Sequence, residues 1–307
     1  MQADSGGAPA SGSGLSMVKS TREDVGRLVL ACPNRPAILA AVVNRLTAAG
    51  ANIITFDQFS TAPEGGRLYV RSQFLLRDLP DRLDDMRSRI EEIAEDFDMQ
   101  WRLEPATRRK RVAIFVSRYE HCLLDLLWRW RRGELHMDIA AVVSNHPDLE
   151  AEVAAFGVPY HHIPVTADTK AEAEQRQLDL LAGKVDLVAL ARYMQILSGD
   201  LLSRIGAPVI NIHHSFLPAF AGAEPYLRAH DRGVKLIGAT AHYATEDLDE
   251  GPIIEQDVRR VSHQADPEML TMIGRDIERT VFARAVHWHL EDRILIHENR
   301  TIVFGPG

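Results

Sequence analysis

The sequence has 307 residues, of which 46% are hydrophobic and 25% are charged, which excludes a fibrous repeat or a wholly disordered chain and allows two domains with sizeable cores. Asp and Glu outnumber Lys and Arg by 43 to 35, and the formal charge of −8 disfavours a nucleic acid as the main partner. The two cysteines, Cys32 and Cys122, have neither the number nor the spacing of a disulfide framework or a zinc site.

The N-terminal segment 1–22 is rich in Gly, Ser and Ala and is expected to form a flexible tail outside the fold. It has no apolar stretch of the signal-peptide type, and no run elsewhere approaches the ~18 apolar residues of a membrane span. We therefore expect a cytoplasmic protein that does not associate with membranes.

Residues 23–104 are predicted to form the first domain. Apolar runs and helical spacing alternate along it, and Gly50 stands where a helix should stop. The predicted elements are, in chain order, a strand at 26–33, a helix at 35–50, two strands within 51–76 around a Pro-Glu-Gly-Gly turn, a helix at 81–97 and a strand at 99–103. The order β-α-β-β-α-β is that of a ferredoxin-like α+β domain.

Residues 105–110 (PATRRK) are basic and contain proline, so we interpret them as the linker to a second domain at 111–307. Continuous apolar strands separated by helices predict an α/β domain there, with a Rossmann-like, mostly parallel, doubly wound sheet covered on both faces. The predicted strands are 111–116, 138–143, 185–190 and 209–212, the predicted helices are 122–132, 150–156, 170–182 and 276–289, and a hairpin follows the last helix.

Ligands of such sheets bind at the carboxyl ends of the strands, so the polar residues that follow strands 185–190 and 209–212 are the first candidates for a site. Asn211 and His213 are two residues apart on an extended strand, so both side chains point to the same side. An amide beside an imidazole can polarise a carbonyl oxygen that gains charge. The spacing alone is also compatible with two side chains that satisfy backbone groups at a strand end.

A second polar stretch runs from Ala241 to Pro252 and ends in a Gly-Pro turn. A carboxylate in this stretch can orient a histidine and receive a proton from water. Glu246, Asp247 and Glu250 fit a solvated acidic loop, whereas the turn after Asp249 fixes the direction of that carboxylate. Composition alone does not choose among them.

The Asn-Ile-His triplet at 211–213, the Ser-Phe-Leu-Pro at 215–218 and the Asp-Glu-Gly-Pro turn at 249–252 resemble the folate-dependent formyltransferase superfamily. More narrowly, the chain resembles the formyltetrahydrofolate deformylase family from about residue 25 to 304. The motifs that carry this resemblance are ARYMQIL, INIHHSFLPAFAGA, GVKLIGATAHY and EDLDEGPIIEQD. CPNRPAIL and GANI mark an ACT-type module in the N-terminal domain, which precedes a formyltransferase-type domain.

This resemblance implies a hydrolase that converts 10-formyltetrahydrofolate to formate and tetrahydrofolate, supplies formate for purine synthesis and balances the one-carbon folate pool. It makes Asn211, His213 and Asp249 the catalytic residues. Water would attack the formyl carbon, Asn211 and His213 would stabilise the oxyanion, and Asp249 would orient the water or His213 and take up the proton. No metal and no cofactor are expected, because no cysteine or carboxylate–histidine spacing suggests a metal site.

By the same resemblance, the pterin pocket for the folate substrate follows strand 185–190. Its expected lining residues are Met194, Gln195, Ile196, Leu197, Ala244, Thr245, Glu246 and Asp247. His121, Cys122 and His214 are expected near the site as a second layer. The loop 117–121 contains no glycine and cannot cradle a phosphate by close backbone approach, which argues against an amino-sugar-phosphate acceptor and leaves water as the nucleophile.

Two positions depart from the family pattern. Glu224 stands where the family usually has lysine, so it should not help to hold the anionic glutamate tail of folate. Ala37 replaces the usual glycine of the ACT-type motif. The resemblance also implies an amino-acid effector, glycine or methionine, at a subunit interface of a dimer or tetramer, with Ala37 and Asn52 as candidate contacts.

Two other functions stay open on the residues alone. A formyltransferase of the same fold, acting on a nucleotide-sugar amine or an aminoacyl-tRNA, would share Asn211, His213 and Asp249, although the ACT-type module and the acidic surface argue against it. A ligand sensor that uses only the ACT-type module would not need these three side chains.

Overall fold

The computed structural model describes residues 22–218 and 225–305 of the chain. The strands of this part form a four-stranded sheet, a seven-stranded sheet and a two-stranded hairpin. Most of the predicted tail lies outside the described residues. Arg22, its last residue, belongs to the fold instead, because it opens a short 3₁₀ turn at Arg22–Asp24.

The four-stranded sheet is antiparallel, and its elements follow one another in the order β-α-β-β-α-β. The strands are β1 (Val25–Pro33), β2 (Asn52–Ser60), β3 (Arg67–Leu75) and β4 (Gln100–Pro105), and the helices are α1 (Ile38–Ala48) and α2 (Leu79–Phe97). In space the strand order is β2-β3-β1-β4. Both helices pack an apolar stripe against one face of this sheet, with Val42 of α1 and Ile90 of α2 fully buried.

The seven-stranded sheet has the spatial order β11-β10-β9-β8-β5-β6-β7. Five of these strands pair in parallel, whereas β10 pairs antiparallel with both β9 and β11, so the sheet is mostly parallel as predicted. Its strands are β5 (Lys110–Val116), β6 (Met137–Ser144), β7 (Tyr160–His162), β8 (Leu187–Ala191), β9 (Val209–His213), β10 (Leu236–Tyr243) and β11 (Ile253–Arg260). The helices are α3 (His121–Arg131), α4 (Glu150–Ala154), α5 (Lys170–Leu181), α6 (Gly199–Ile205), α7 (Pro225–Asp231) and α8 (Pro267–Leu290).

Apolar side chains cover both faces of this sheet. Ile114 on β5 belongs to a core with Leu127 of α3 and Phe282 of α8. Its neighbour Phe115 points to the opposite face and packs in a second core with Leu201 of α6. Alternate residues of a strand point to opposite faces, so a strand that is apolar throughout must be covered on both faces.

Helix α8 begins nine residues before the predicted start at Asp276. Asp266 caps it, because its carboxylate accepts a hydrogen bond from the backbone N–H of Met269 at 2.8 Å, and Pro267 occupies the first turn. Three strands (β7, β10 and β11) and two short helices (α6 and α7) were not predicted. Strand β10 lacked a strand signal because its sequence, LIGATAHY, mixes small and polar residues with few large apolar ones.

The second face of the four-stranded sheet packs on the end of α8 and on the hairpin formed by β12 (Ile294–His297) and β13 (Arg300–Val303). The Arg27 guanidinium donates a hydrogen bond to the carbonyl oxygen of Leu290 at 3.1 Å. Tyr69 and His297 are joined through the phenol oxygen and ring Nδ1 at 2.8 Å. None of the helices in the described part of the chain has the length and apolar character needed to cross a membrane.

Candidate active site

Strands β9 and β10 bring two histidines and an amide together at one end of the seven-stranded sheet. Asn211 and His213 lie on β9, and the antiparallel register places His242 of β10 directly opposite Asn211. The Nδ1–H of His242 donates to the carbonyl oxygen of Tyr243 at 3.0 Å. Its Nε2 therefore accepts from the Asn211 side-chain amide in the neutral ring, at 3.2 Å.

The turn after β10 carries Asp249 back to these side chains. Asp249 itself has a φ of 59°, in the left-handed region. Gly251 follows it where a Cβ would lie 1.9 Å from the carbonyl oxygen of Tyr243, so no other residue fits there without a shift of the backbone. The turn is closed by the backbone N–H of Tyr243, which donates to the Pro252 carbonyl at 3.0 Å.

Asp249 faces both histidines. One carboxylate oxygen lies 3.2 Å from Nδ1 of His213, and the other lies 3.6 Å from Nε2 of His242. The hydrogen bond from His213, with the His242 ring close by, outweighs partial burial and holds the pKa of Asp249 well below its usual range, so this carboxylate is ionised at neutral pH.

His213 is 6% exposed, and its Nε2 is buried without a hydrogen-bond partner. A buried ring nitrogen without a partner is costly unless a ligand completes it. Because Asp249 binds Nδ1, Nε2 is the atom of His213 that is left for a reacting group. The structure thus brings Asn211, His213 and Asp249 together, as the spacing and the turn suggested.

Sequence reasoning missed His242, which contacts both Asn211 and Asp249. It stands in the GVKLIGATAHY stretch, but that stretch was not predicted as a strand. An antiparallel partner for β9 would have placed His242 in register with Asn211.

A cavity of about 60 Å³ opens beside this cluster and is lined by Asn211, His242 and Asp249. Most of the predicted folate-pocket residues line it too, namely Gln195, Ile196, Leu197, Ala244, Thr245 and Glu246. Leu190, Leu202 and Leu248 complete the lining and were not predicted.

Two predicted pocket residues lie elsewhere. Met194, with a φ of 59°, lines a second and larger cavity instead. Asp247 lines neither cavity, and its carbonyl oxygen accepts a hydrogen bond from the Thr245 hydroxyl at 3.0 Å, which shapes the loop. The assignment of Met194 and Asp247 to the folate pocket stays a prediction.

The second cavity, of about 480 Å³, contains two of the three residues expected around the site, His121 and His214. His214 follows His213 directly, and their ring centroids lie 5.0 Å apart. His121 is in contact with the buried Glu278 of α8, at 2.7 Å between Nε2 and a carboxylate oxygen. Cys122, the third residue, is buried in the hydrophobic core that contains Leu127 and Phe282, and burial raises the pKa of its thiol well above the usual value.

His121, Cys122 and Glu278 offer one nitrogen, one sulfur and one oxygen atom within 4.8 Å of one another. These are atom types that bind zinc, but the surroundings disfavour a cation. The Arg192 guanidinium lies 3.3 Å from Glu278, and the hydroxyl of Tyr226 donates to the same carboxylate at 2.6 Å. The cluster is therefore arranged as an ion pair with hydrogen bonds, and the expectation that no metal is needed stays a prediction.

Comparison with known proteins places this site in a family. The profile of the formyl transferase family matches residues 110–286. A formyltetrahydrofolate deformylase from Mycobacterium bovis is 59% identical over 282 residues, which span 92% of this chain and 91% of the relative. The solved structure of a formyltetrahydrofolate deformylase from Burkholderia mallei is 48% identical, has a TM-score of 0.86, and matches 92% of this chain and 100% of its own.

This chain belongs to the formyltetrahydrofolate deformylase family. The resemblance expected from the motifs is thereby confirmed. A glycinamide ribonucleotide transformylase from Symbiobacterium toebii is 30% identical with a TM-score of 0.60, and it matches only 64% of this chain although 95% of its own. Likeness to a transferase is therefore confined to part of the chain, whereas likeness to the deformylase family extends over nearly all of it.

Ala37 and Asn52 are the two predicted effector contacts of this deformylase-family chain. Ala37 has a φ of 70°, in the left-handed region where glycine is favoured, which explains why glycine is usual there. Ala37 and Asn52 are both exposed. Glu224, which stands where the family usually has lysine, lies outside the described residues.

Two histidines of this deformylase-family chain predict how its stability depends on pH. Burial, with the nearby charges of Arg192 for His214 and of Lys110 for His289, lowers the pKa of each ring to about 3. Each ring has a lower pKa in the folded chain than in the unfolded chain, so the unfolded chain takes up protons first as the pH falls. The stability that the two neutral rings contribute is therefore complete above pH 6.5 and is lost below it. We expect the free energy of unfolding to fall by about 2 kcal/mol per histidine between pH 7 and pH 5.

Urea unfolding of wild type and of His289→Gln at both pH values measures this loss. The glutamine removes one titrating ring and retains a polar partner for Tyr243, whose hydroxyl lies 2.8 Å from His289 Nδ1. The fall in stability should shrink by about half in this variant. The exposed His230, replaced by glutamine, serves as the control. An unchanged fall in His289→Gln would contradict the assignment.

Proposed function

We propose that this chain hydrolyses 10-formyltetrahydrofolate to formate and tetrahydrofolate, with Asn211, His213 and Asp249 as catalytic residues. The observation that carries the proposal is the Asp249–His213 pair at 3.2 Å, whose free Nε2 is buried and unpartnered beside the cavity lined by residues 195–197 and 244–246. Membership of the deformylase family supports this reading of the site.

In the proposed reaction, a water oxygen forms a bond to the formyl carbon and the bond from that carbon to N10 breaks. One proton of the water goes to N10, the other is released, and the carbon leaves as the formate anion. The Asn211 amide and the His213 ring stabilise the negative charge on the formyl oxygen as it develops. These donors are already held by β9, so little reorganisation is needed during the reaction.

The low pKa of Asp249 refines its role. A carboxylate that stays ionised far below neutral pH is a poor acceptor for a proton in the reaction, because general bases work best when their pKa is near the working pH. Imidazole is suited to that task. We therefore assign proton transfer to His213, and we assign to Asp249 the orientation of that ring and the stabilisation of its charged form.

The same proposal makes water, and not an amine, the acceptor of the formyl group. The loop 117–121 lacks glycine, and its residue Tyr119 lines the second cavity with the Arg192 guanidinium stacked at 5.1 Å from its ring. A phosphate held by close backbone contacts would need glycine at this loop. No cofactor and no metal enter this mechanism.

We further propose that the N-terminal domain, residues 23–104, is an ACT-type regulatory domain that binds glycine or methionine in a dimer or tetramer. The edge strand β2 supports an interface between subunits, because Ile54 and Phe59 on it are 53% and 46% exposed. Ala37 and Asn52 are the proposed effector contacts. A cytoplasmic location is also proposed, and the unpaired state of Cys32 and Cys122 supports a reducing compartment.

The test is a formate-release assay on the full-length protein with 10-formyltetrahydrofolate as the only substrate. We expect formate and tetrahydrofolate in equal amounts without any amine. A protein that stays inert until an amino-sugar phosphate is added would overturn the proposal in favour of a transferase. The same assay with added glycine or methionine should change the rate, and no change in rate or in melting temperature with either would remove the effector proposal.

A further inference from the structure

The second cavity is distinct from the folate cavity, and the two share no lining residue. His214 lines it and is the chain neighbour of His213, with a ring-to-ring distance of 5.0 Å. Met194 lines it as well, whereas residues 195–197 line the folate cavity. The second cavity therefore reaches the chain neighbour of His213, and the mechanism above does not use this cavity.

The second cavity has an excess of positive charge. Its only carboxylate among the described lining residues is Glu278, and both oxygens of this group are already bound. One accepts from Tyr226 at 2.6 Å, and the other lies 2.7 Å from Nε2 of His121 and 3.3 Å from Arg192. Glu278 thus neutralises Arg192, whereas no carboxylate among the described lining residues neutralises Arg275.

The two arginines converge on one aromatic ring. The guanidinium carbons of Arg192 and Arg275 lie 5.1 Å and 5.9 Å from the centroid of Tyr119. Arg192 is 8% exposed and its Nε has no hydrogen-bond partner, while Arg275 forms no salt bridge with any of the residues that the structure describes. Two like charges on one ring repel each other, and an anion between them would remove that repulsion.

We infer that the cavity lined by Tyr119, Arg192, His214 and Arg275 binds a small carboxylate anion, and that its ligand is the formate released by hydrolysis. This inference rests on the proposed function. The formyl group is uncharged until water has added to it, so the reacting end of the substrate gains a charge that the arginines can bind only when it becomes formate. Tetrahydrofolate fills the folate cavity at that moment, which leaves the second cavity as the way out for formate.

The neighbours of the cavity suit this task. Burial and the charge of Arg192 lower the pKa of His214 to about 3, so this ring is neutral and adds no charge of its own to the path. Arg275 is exposed on α8, where it can lead an anion from the cavity to solvent. An arginine binds a carboxylate through two parallel hydrogen bonds, which fits formate.

The experiment is a titration of the full-length protein with sodium formate at constant ionic strength, followed by the ¹³C-methyl NMR signal of Met194, which lines the cavity. We expect a saturable shift. In Arg275→Gln the apparent Kd should rise about tenfold, the effect of losing one charge-assisted hydrogen bond. The control is Arg89→Gln, an exposed arginine on α2 that pairs with Asp85, and it should titrate like wild type.

The outcomes separate the two proposals. Hydrolysis of 10-formyltetrahydrofolate without a saturable formate shift, or an equal Kd in wild type and Arg275→Gln, would overturn the formate site and leave the proposed function in place. A saturable shift in a protein that does not hydrolyse the substrate would overturn the assignment of the site to the product, together with the proposed function. Loss of formate binding in Arg275→Gln with unchanged binding in Arg89→Gln supports it.

Discussion

Replacement of Asp249 by asparagine is expected to lower turnover by at least ~100-fold, the scale of losing a group that supports proton transfer. The substitution keeps the size of the side chain and removes its negative charge. That charge lies 3.2 Å from His213 and 3.6 Å from His242. An amide can also turn its N–H toward Nδ1 of His213, which would favour the tautomer with the proton on Nε2 and block the free nitrogen of the ring.

Steady-state kinetics should show the loss mainly in kcat, because Asp249 contacts the two histidines and acts on the proton transfer. Asp168→Asn is the matched control, since Asp168 is an exposed carboxylate in the loop before α5 and should retain full turnover. A kcat of Asp249→Asn within threefold of wild type would contradict the assigned role. Circular dichroism of each variant checks that its fold is intact.

The folds of both sheets could be predicted largely because their central strands are continuous apolar runs. Residues 185–190 and 209–212 are such runs, and they correspond to β8 and β9 at the centre of the larger sheet. Strand β11 at the edge was not predicted, because a strand with a partly solvated face carries a weaker apolar pattern. Strand β10 is buried, but its small and polar residues gave no strand signal. The early start of α8 was missed although Asp266 and Pro267 form a recognisable helix start.

The residues of the candidate site also differ in whether the sequence could predict their position. The spacing of Asn211 and His213 predicted that their side chains point to the same side of one strand, because strand geometry is local, whereas their role in the site came from the family resemblance. The position of His242 could not be predicted, because its place opposite Asn211 depends on the long-range pairing of β9 with β10. The place of Met194 in the second cavity could not be predicted either, since its positive φ is a conformation that its residue type does not predict.

Replacement of Asp292 by alanine is expected to lower the free energy of unfolding by about 3–5 kcal/mol, the usual loss when a buried ion pair is broken from one side. Only 3% of the Asp292 side chain is exposed, and it lies 2.7 Å from Lys110 Nζ and 3.4 Å from the Arg27 guanidinium. Arg102 contacts the same carboxylate. Burial opposes the charge of Asp292, but these three cations outweigh it and lower its pKa.

The size of the effect follows from what the alanine leaves behind. Arg27 and Lys110 are 6% and 8% exposed, so two cations would stay in the protein interior without their counter-charge. Arg27 and Arg102 belong to β1 and β4 of the four-stranded sheet, and Lys110 opens β5 of the larger one. The single carboxylate of Asp292, which follows α8, thus forms ion pairs with cations of both sheets.

Urea unfolding followed by tryptophan fluorescence and by circular dichroism measures the loss and shows whether the two sheets still unfold together. Asp276→Ala is the control, since Asp276 is exposed and pairs only with Arg279 one turn away on the same helix, and it should change stability by less than about 0.5 kcal/mol. A loss below about 1 kcal/mol in Asp292→Ala would mean that water or a rearranged side chain replaces the carboxylate. If the two probes report transitions of Asp292→Ala at different urea concentrations, the two sheets of the variant unfold separately. Asp292 would then also couple the unfolding of the two sheets.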